Sequence, residues 1–111
     1  MNVQAIWSIS FRSSNGECRG GVIALKNDRI YGGDGSYYYI GDYSASPDYI
    51  NCGMRVTHYF GERCPVFGSH QEFTVEMHGP ITADTISLQG HFANQPDEKF
   101  SAVLVRLERI P

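Results

Sequence analysis

Gly32-Gly33-Asp34-Gly35 interrupts an apolar run, and Tyr37-Tyr38-Tyr39-Ile40 follows almost at once. Aromatic and β-branched residues suit a pleated, half-buried surface, and glycines beside them supply turns, bends and bulges. No segment holds a 3.6-residue apolar period long enough for a helix. Short runs with a period near two recur instead, separated by turn signals at intervals of roughly 8 to 14 residues. A chain built this way is all-β, and 111 residues make one domain, residues 1–111.

The pattern predicts eight strands, over residues 3–12, 17–25, 29–33, 36–44, 49–60, 71–78, 85–92 and 100–108. Ser14-Asn15-Gly16-Glu17 reads as a type I′ hairpin turn, which sets Ile9 opposite Val22 and Trp7 opposite Ala24. Gly79-Pro80 reads as a strand break, and the next hairpin then sets His78 opposite about Ile86, away from His91. Short turns between successive strands imply an antiparallel up-and-down barrel, its last strand pairing with its first. The last strand is apolar on both faces (Val103, Leu104, Val105, Leu107), and Ile23, Leu25 and Ile30 add more apolar residues than one interior is expected to take. The expectation is a homodimer.

The formal charge is −3 and the basic residues are scattered, so a phosphate-backbone binder is not expected. Three cysteines, Cys18, Cys52 and Cys64, are odd in number, widely spaced and without C-x-x-C. They read as reduced thiols of a cytoplasmic protein rather than as a disulfide framework or zinc site. Neither a signal peptide nor an apolar window of about 20 residues is visible, so membrane association is not expected.

Catalytic patterns are missing. His58, His70, His78 and His91 lack metal-ligand spacing and read as strand histidines, so no metal is expected. There is no G-x-S-x-G elbow. Gly33-Asp34-Gly35-Ser36 begins like a dinucleotide fingerprint, but position 38 is Tyr and no helix follows to receive phosphates. The glycines read as structural, with Asp34 placed to bond nearby amides and fix the turn. Alternation puts Tyr37, Tyr39 and Tyr43 on one face as core rings and Tyr38 on the other. The expectation is a non-enzyme without a cofactor. If the barrel is hollow, Trp7, Phe11, Val22, Tyr39, Phe73, Met77, Leu88 and Phe92 are the candidate lining of a small apolar ligand site.

Gly20-Gly21-Val22-Ile23, the run from Lys26 to Asp34, Tyr39-Ile40-Gly41, Phe73-Thr74-Val75 with Gly79, and Ile86 to Gly90 occur in an order that resembles the GrlR-type negative regulators of type III secretion. The resemblance spans roughly residues 5 to 105. It implies a lipocalin-like eight-stranded barrel, dimeric, in the bacterial cytoplasm, which binds a transcriptional activator and keeps it from DNA. In the best-known members an acidic loop after the fourth strand makes that contact. The matching loop here is Ala45-Ser46-Pro47-Asp48, which retains a single acid. One aspartate offers little to a basic partner surface, so the implied partner is an activator or another protein, met through Ser44, Ser46, Asp48 and Tyr49.

Overall fold

The computed structural model describes residues 3–111. The strands are β1 (Ala5–Ser13), β2 (Gly16–Lys26), β3 (Arg29–Gly33), β4 (Tyr37–Ala45), β5 (Tyr49–His58), β6 (Glu72–Pro80), β7 (Thr85–Phe92) and β8 (Gln95–Arg109). Each pairs with the next, and β8 returns antiparallel to β1, so the sheet closes into a barrel without edges. The expected eight-stranded antiparallel barrel is the fold. No helix in the described residues is long and apolar enough to cross a membrane.

Alternation decides which residues fill the interior. On β6 and β7, Phe73, Val75, Met77, Ile86, Leu88 and Phe92 point inward and are buried, while Thr74, Glu76, Ser87 and Gln89 between them are exposed. Tyr37, Tyr39 and Tyr43 are buried and Tyr38 faces out, as the alternation requires.

Two inward glycines of the opening motif region mark places where strands press together. A Cβ on Gly32 would lie 2.7 Å from the Cα of Ile23, and one on Gly41 would lie 2.8 Å from the Cα of Met54. Removing the side chain lets the sheet bend sharply enough to close. Asp34 then pins the β3–β4 turn: its Oδ1 accepts from the amides of Ser36 (2.7 Å) and Tyr37 (2.8 Å). Its Oδ2 accepts from the Tyr39 hydroxyl at 2.8 Å.

Four readings are corrected. The first turn is Ser14-Asn15, with Ser13 opposite Gly16, not Asn15-Gly16. Phe11 faces Cys18 and Ile9 faces Gly21, so β2 carries one extra residue there, a bulge at Arg19-Gly20 with Gly20 at φ 91°. A one-residue shift exchanges the faces of a strand. Trp7 therefore meets Ile23 and Ser8 meets Val22. For the same reason Ile23 and Leu25 point inward, and with Ile30 all three fit the interior at no more than 2% exposure. Finally, Gly79 and Pro80 are the last paired residues of β6, facing Ile50 and Tyr49, rather than a break after His78, and His78 faces Gln89 rather than Ile86.

An up-and-down barrel has two distinct ends. The turns at 14–15, 35–36 and 93–94 and the long β5–β6 connection sit at one; the turns at 27–28 and 46–48, the β6–β7 connection, the start of β1 and the end of β8 sit at the other.

Candidate functional site

The β5–β6 connection decides what the interior can do. Its stem is closed by the His58 amide donating to the Gln71 carbonyl (2.8 Å) and by the Gln71 Nε2 donating to the His58 carbonyl (2.6 Å). Gly61 and Gly68, at φ 67° and 61°, turn the chain inward and out again. Between them Cys64, Val66 and Phe67 are buried. The segment is a plug in the barrel mouth, where the sequence suggested only an irregular loop.

Phe67 is the centre of that plug. Its ring lies 4.9 Å from Phe11, 5.2 Å from Tyr37, 4.9 Å from Phe73 and 6.4 Å from Phe100. Phe92 extends the cluster, 5.2 Å from Phe73 and 5.9 Å from Phe100. Edge and tilted contacts of this kind suit the ring quadrupoles. The Cys64 amide donates to the buried Tyr37 hydroxyl at 3.0 Å.

A bond joins Cys18 on β2 to Cys64 in the plug, with the Cα atoms 5.6 Å apart. The expectation of three reduced thiols is overturned. A separation of 46 residues and an odd count concealed the pair, because the fold rather than local spacing brings the mouth turns together. Cys52 is the free cysteine. Burial, then the charge of Asp42, pushes its thiol up to about 12, so it is a poor nucleophile near neutrality.

At the far end the Arg106 guanidinium lies 4.5 Å over the Trp7 ring, and the indole Nε1 donates to the Val3 carbonyl at 2.9 Å. Burial, and then the charge and hydrogen bond of Asp34, raise the Tyr39 phenol far above its ordinary value. Near the mouth, the Arg12 hydrogen bond and the charge of Arg19 hold the Glu17 carboxyl low.

Of the eight candidate lining residues, seven are interior: Trp7, Phe11, Tyr39, Phe73, Met77, Leu88 and Phe92 are each 9% exposed or less. Val22 is not; the β2 bulge turns it outward, 44% exposed. Several of the seven fill the interior together with the plug: Phe11 lies 5.9 Å from Tyr39, Phe11 and Phe73 each lie 4.9 Å from Phe67, and a Cβ on Gly90 would strike Phe100 and Met77.

The four candidate partner residues lie at the end opposite the plug. Ser44, Ser46, Asp48 and Tyr49 are all exposed. The loop is nonetheless tied down. The Ser46 amide donates to the Tyr49 carbonyl (2.9 Å), the Ile81 amide donates to the Asp48 carbonyl (2.8 Å), and the Tyr49 hydroxyl bonds His78 Nδ1 (2.5 Å).

The outer wall carries what the interior does not. Val103, Val105 and Leu107 of β8 are 41%, 43% and 54% exposed. Ser8 of β1 pairs with Val105 on one side and Val22 on the other, which joins the aliphatic residues across three strands. Among the described residues no group of three or more His, Cys, Asp or Glu could hold a metal ion. His91 does approach Glu76, at 3.9 Å. No family model matches the chain, and no curated protein does.

Proposed function

We propose that this chain is a non-enzymatic protein-interaction module that works through its outer surface, as a homodimer. The observation that carries the reading is the aliphatic stripe of Val103, Val105 and Val22 on the outer wall, in register across β8, β1 and β2. Exposed aliphatic side chains aligned in this way support an interaction site. A second copy is its occupant: Ser8, Ser10, Thr85 and Ser87 stand on the same outer wall between and beside the valines. Arg12, Glu17 and Arg19 border the same face and pair with one another at 3.1 Å, so two such faces can meet without burying an unpaired charge there.

The resemblance to GrlR-type regulators makes a transcriptional activator the first partner class to test, contacted at Ser44, Ser46, Asp48 and Tyr49. The packed interior favours this reading over carriage of a small apolar ligand. Sedimentation velocity on the purified chain tests the dimer. Wild type is expected to sediment as a dimer and Val105→Glu as a folded monomer; a wild type that stays monomeric at high concentration contradicts it. Crosslinking in cells, compared between wild type and Asp48→Lys, tests the loop. A partner captured equally by both removes the loop from the proposal.

A further inference from the structure

We infer that the Cys18–Cys64 bond is a redox latch on the barrel mouth, and that its reduction opens a ring-lined recess to a small aromatic ligand. This goes beyond the interaction reading and does not depend on it.

The argument rests on how the plug is held. Cys64 is three residues from Phe67, so a covalent tie from Cys64 to β2 keeps the Phe67 ring at the mouth. Between Gly61 and Gly68 the other ties to the wall are the Cys64 amide to Tyr37 hydrogen bond, Pro65 against Gly16, and the packing of Val66 and Phe67. Arg63 bonds the His70 carbonyl of the stem, and Tyr59 and Phe60, outside the moving tip, bond the Asp34 and Ser36 carbonyls. Left-handed Gly61 and Gly68 bracket the segment and serve as pivots. The stem at His58 and Gln71 holds the base of the loop while its tip moves.

The space that Phe67 leaves is the size of one ring. It is bounded by Phe11, Tyr37, Phe73 and Phe100, whose rings already accept an aromatic partner edge-on or tilted. An aromatic ligand replaces those contacts one for one. With the bridge intact Phe67 competes at high effective concentration; with the bridge open that advantage falls.

The reductant is a dithiol. Its thiolate attacks Cys18 Sγ, since Cys18 is half-buried while Cys64 is 6% exposed. The S–S bond breaks, Cys64 leaves as thiolate and takes a proton, and a mixed disulfide forms on Cys18. The second thiol of the reductant displaces Cys18, which also takes a proton. Two electrons and two protons pass to the cysteines, and the reductant becomes a cyclic disulfide. A change to a reducing compartment supplies such reductants.

The test is isothermal titration calorimetry with phenol, a single ring, on four samples: oxidised wild type, dithiothreitol-reduced wild type, Cys18→Ser/Cys64→Ser, and oxidised Phe67→Ser. Trp7 emission and far-ultraviolet circular dichroism report the fold in parallel, since Trp7 lies at the other end of the barrel. The expected result is saturable binding that is tighter by about tenfold or more in the reduced and doubly substituted proteins, with Trp7 still buried. Oxidised Phe67→Ser, which empties the recess without touching the bridge, is expected to bind as well. Equal binding in oxidised and reduced wild type overturns the latch, as does reduction that unfolds the barrel and exposes Trp7. Absence of binding to oxidised Phe67→Ser overturns the recess.

Discussion

The ring of Phe67, on a connection without secondary structure, lies 4.9 Å from the ring of Phe11 on the first strand, inside the barrel mouth. A residue outside the sheet thus completes the sheet's own core. It also explains why a barrel of eight strands, large enough in principle to hold one small ligand, is occupied by its own side chains.

The first prediction follows directly. Phe67→Ala removes a fully buried ring and is expected to cost about 3–5 kcal/mol in urea unfolding. Phe60→Ala, seven residues earlier at 70% exposure, is expected to change stability by no more than about 0.5 kcal/mol. Similar values for the two would remove the plug from the account.

Gly41 tests the structural role assigned to the glycines. A methyl there presses on the Met54 Cα across the β4–β5 pair, and overpacking of this kind costs about 1–3 kcal/mol. Gly35→Ala is the control, because its Cβ would meet nothing within 4 Å. Thermal melts of the two variants should separate clearly, with Gly41→Ala the lower.

Much of this architecture was legible in the chain. Period-two alternation found all eight strands, although β8 begins at Gln95 rather than at Phe100, and the inward set Phe73, Val75, Met77 and Ile86, Leu88, Phe92 followed from it. What escaped was non-local or one residue wide. The β2 bulge at Gly20 reversed the side on which Val22 lies, and a Gly in a strand was its only sequence signal. The Cys18–Cys64 pair depends on turns that meet only after closure. The plug was hidden because Cys64-Pro65-Val66-Phe67 has no period to read; its clue was a cluster of apolar residues inside a loop flanked by Gly61 and Gly68.

Alkaline stability should depend on Tyr39. Burial and Asp34 raise its phenol in the folded state, so above the unfolded value near 10 the folded chain keeps a proton that the unfolded chain loses. Stability from this source is complete below about pH 10 and is lost as pH rises beyond it. Urea midpoints of wild type should therefore fall more steeply above that pH than those of Tyr39→Phe. Parallel slopes would contradict the assignment. Near neutrality Tyr39→Phe should cost about 1.5–3 kcal/mol, because Asp34 loses a hydrogen bond to a charged group.

Thiol counting addresses the bridge. Non-reduced protein unfolded in guanidinium should take up one alkylating group, at Cys52, and reduced unfolded protein three. Folded oxidised protein should label slowly even at mildly alkaline pH, since burial holds the Cys52 thiol at about 12. Peptide mapping that finds Cys18 and Cys64 labelled without reduction would contradict the bridge.

The central claim is that the oxidised barrel is filled by its own residues and acts through its outer face. Native mass spectrometry of the oxidised protein, gently purified from cells, tests this most directly. The expected spectrum is a homodimer of bare 12.4 kDa chains, with nothing bound inside and the Cys18–Cys64 bond intact. A stoichiometric small apolar molecule retained by chains whose bridge is intact would contradict it.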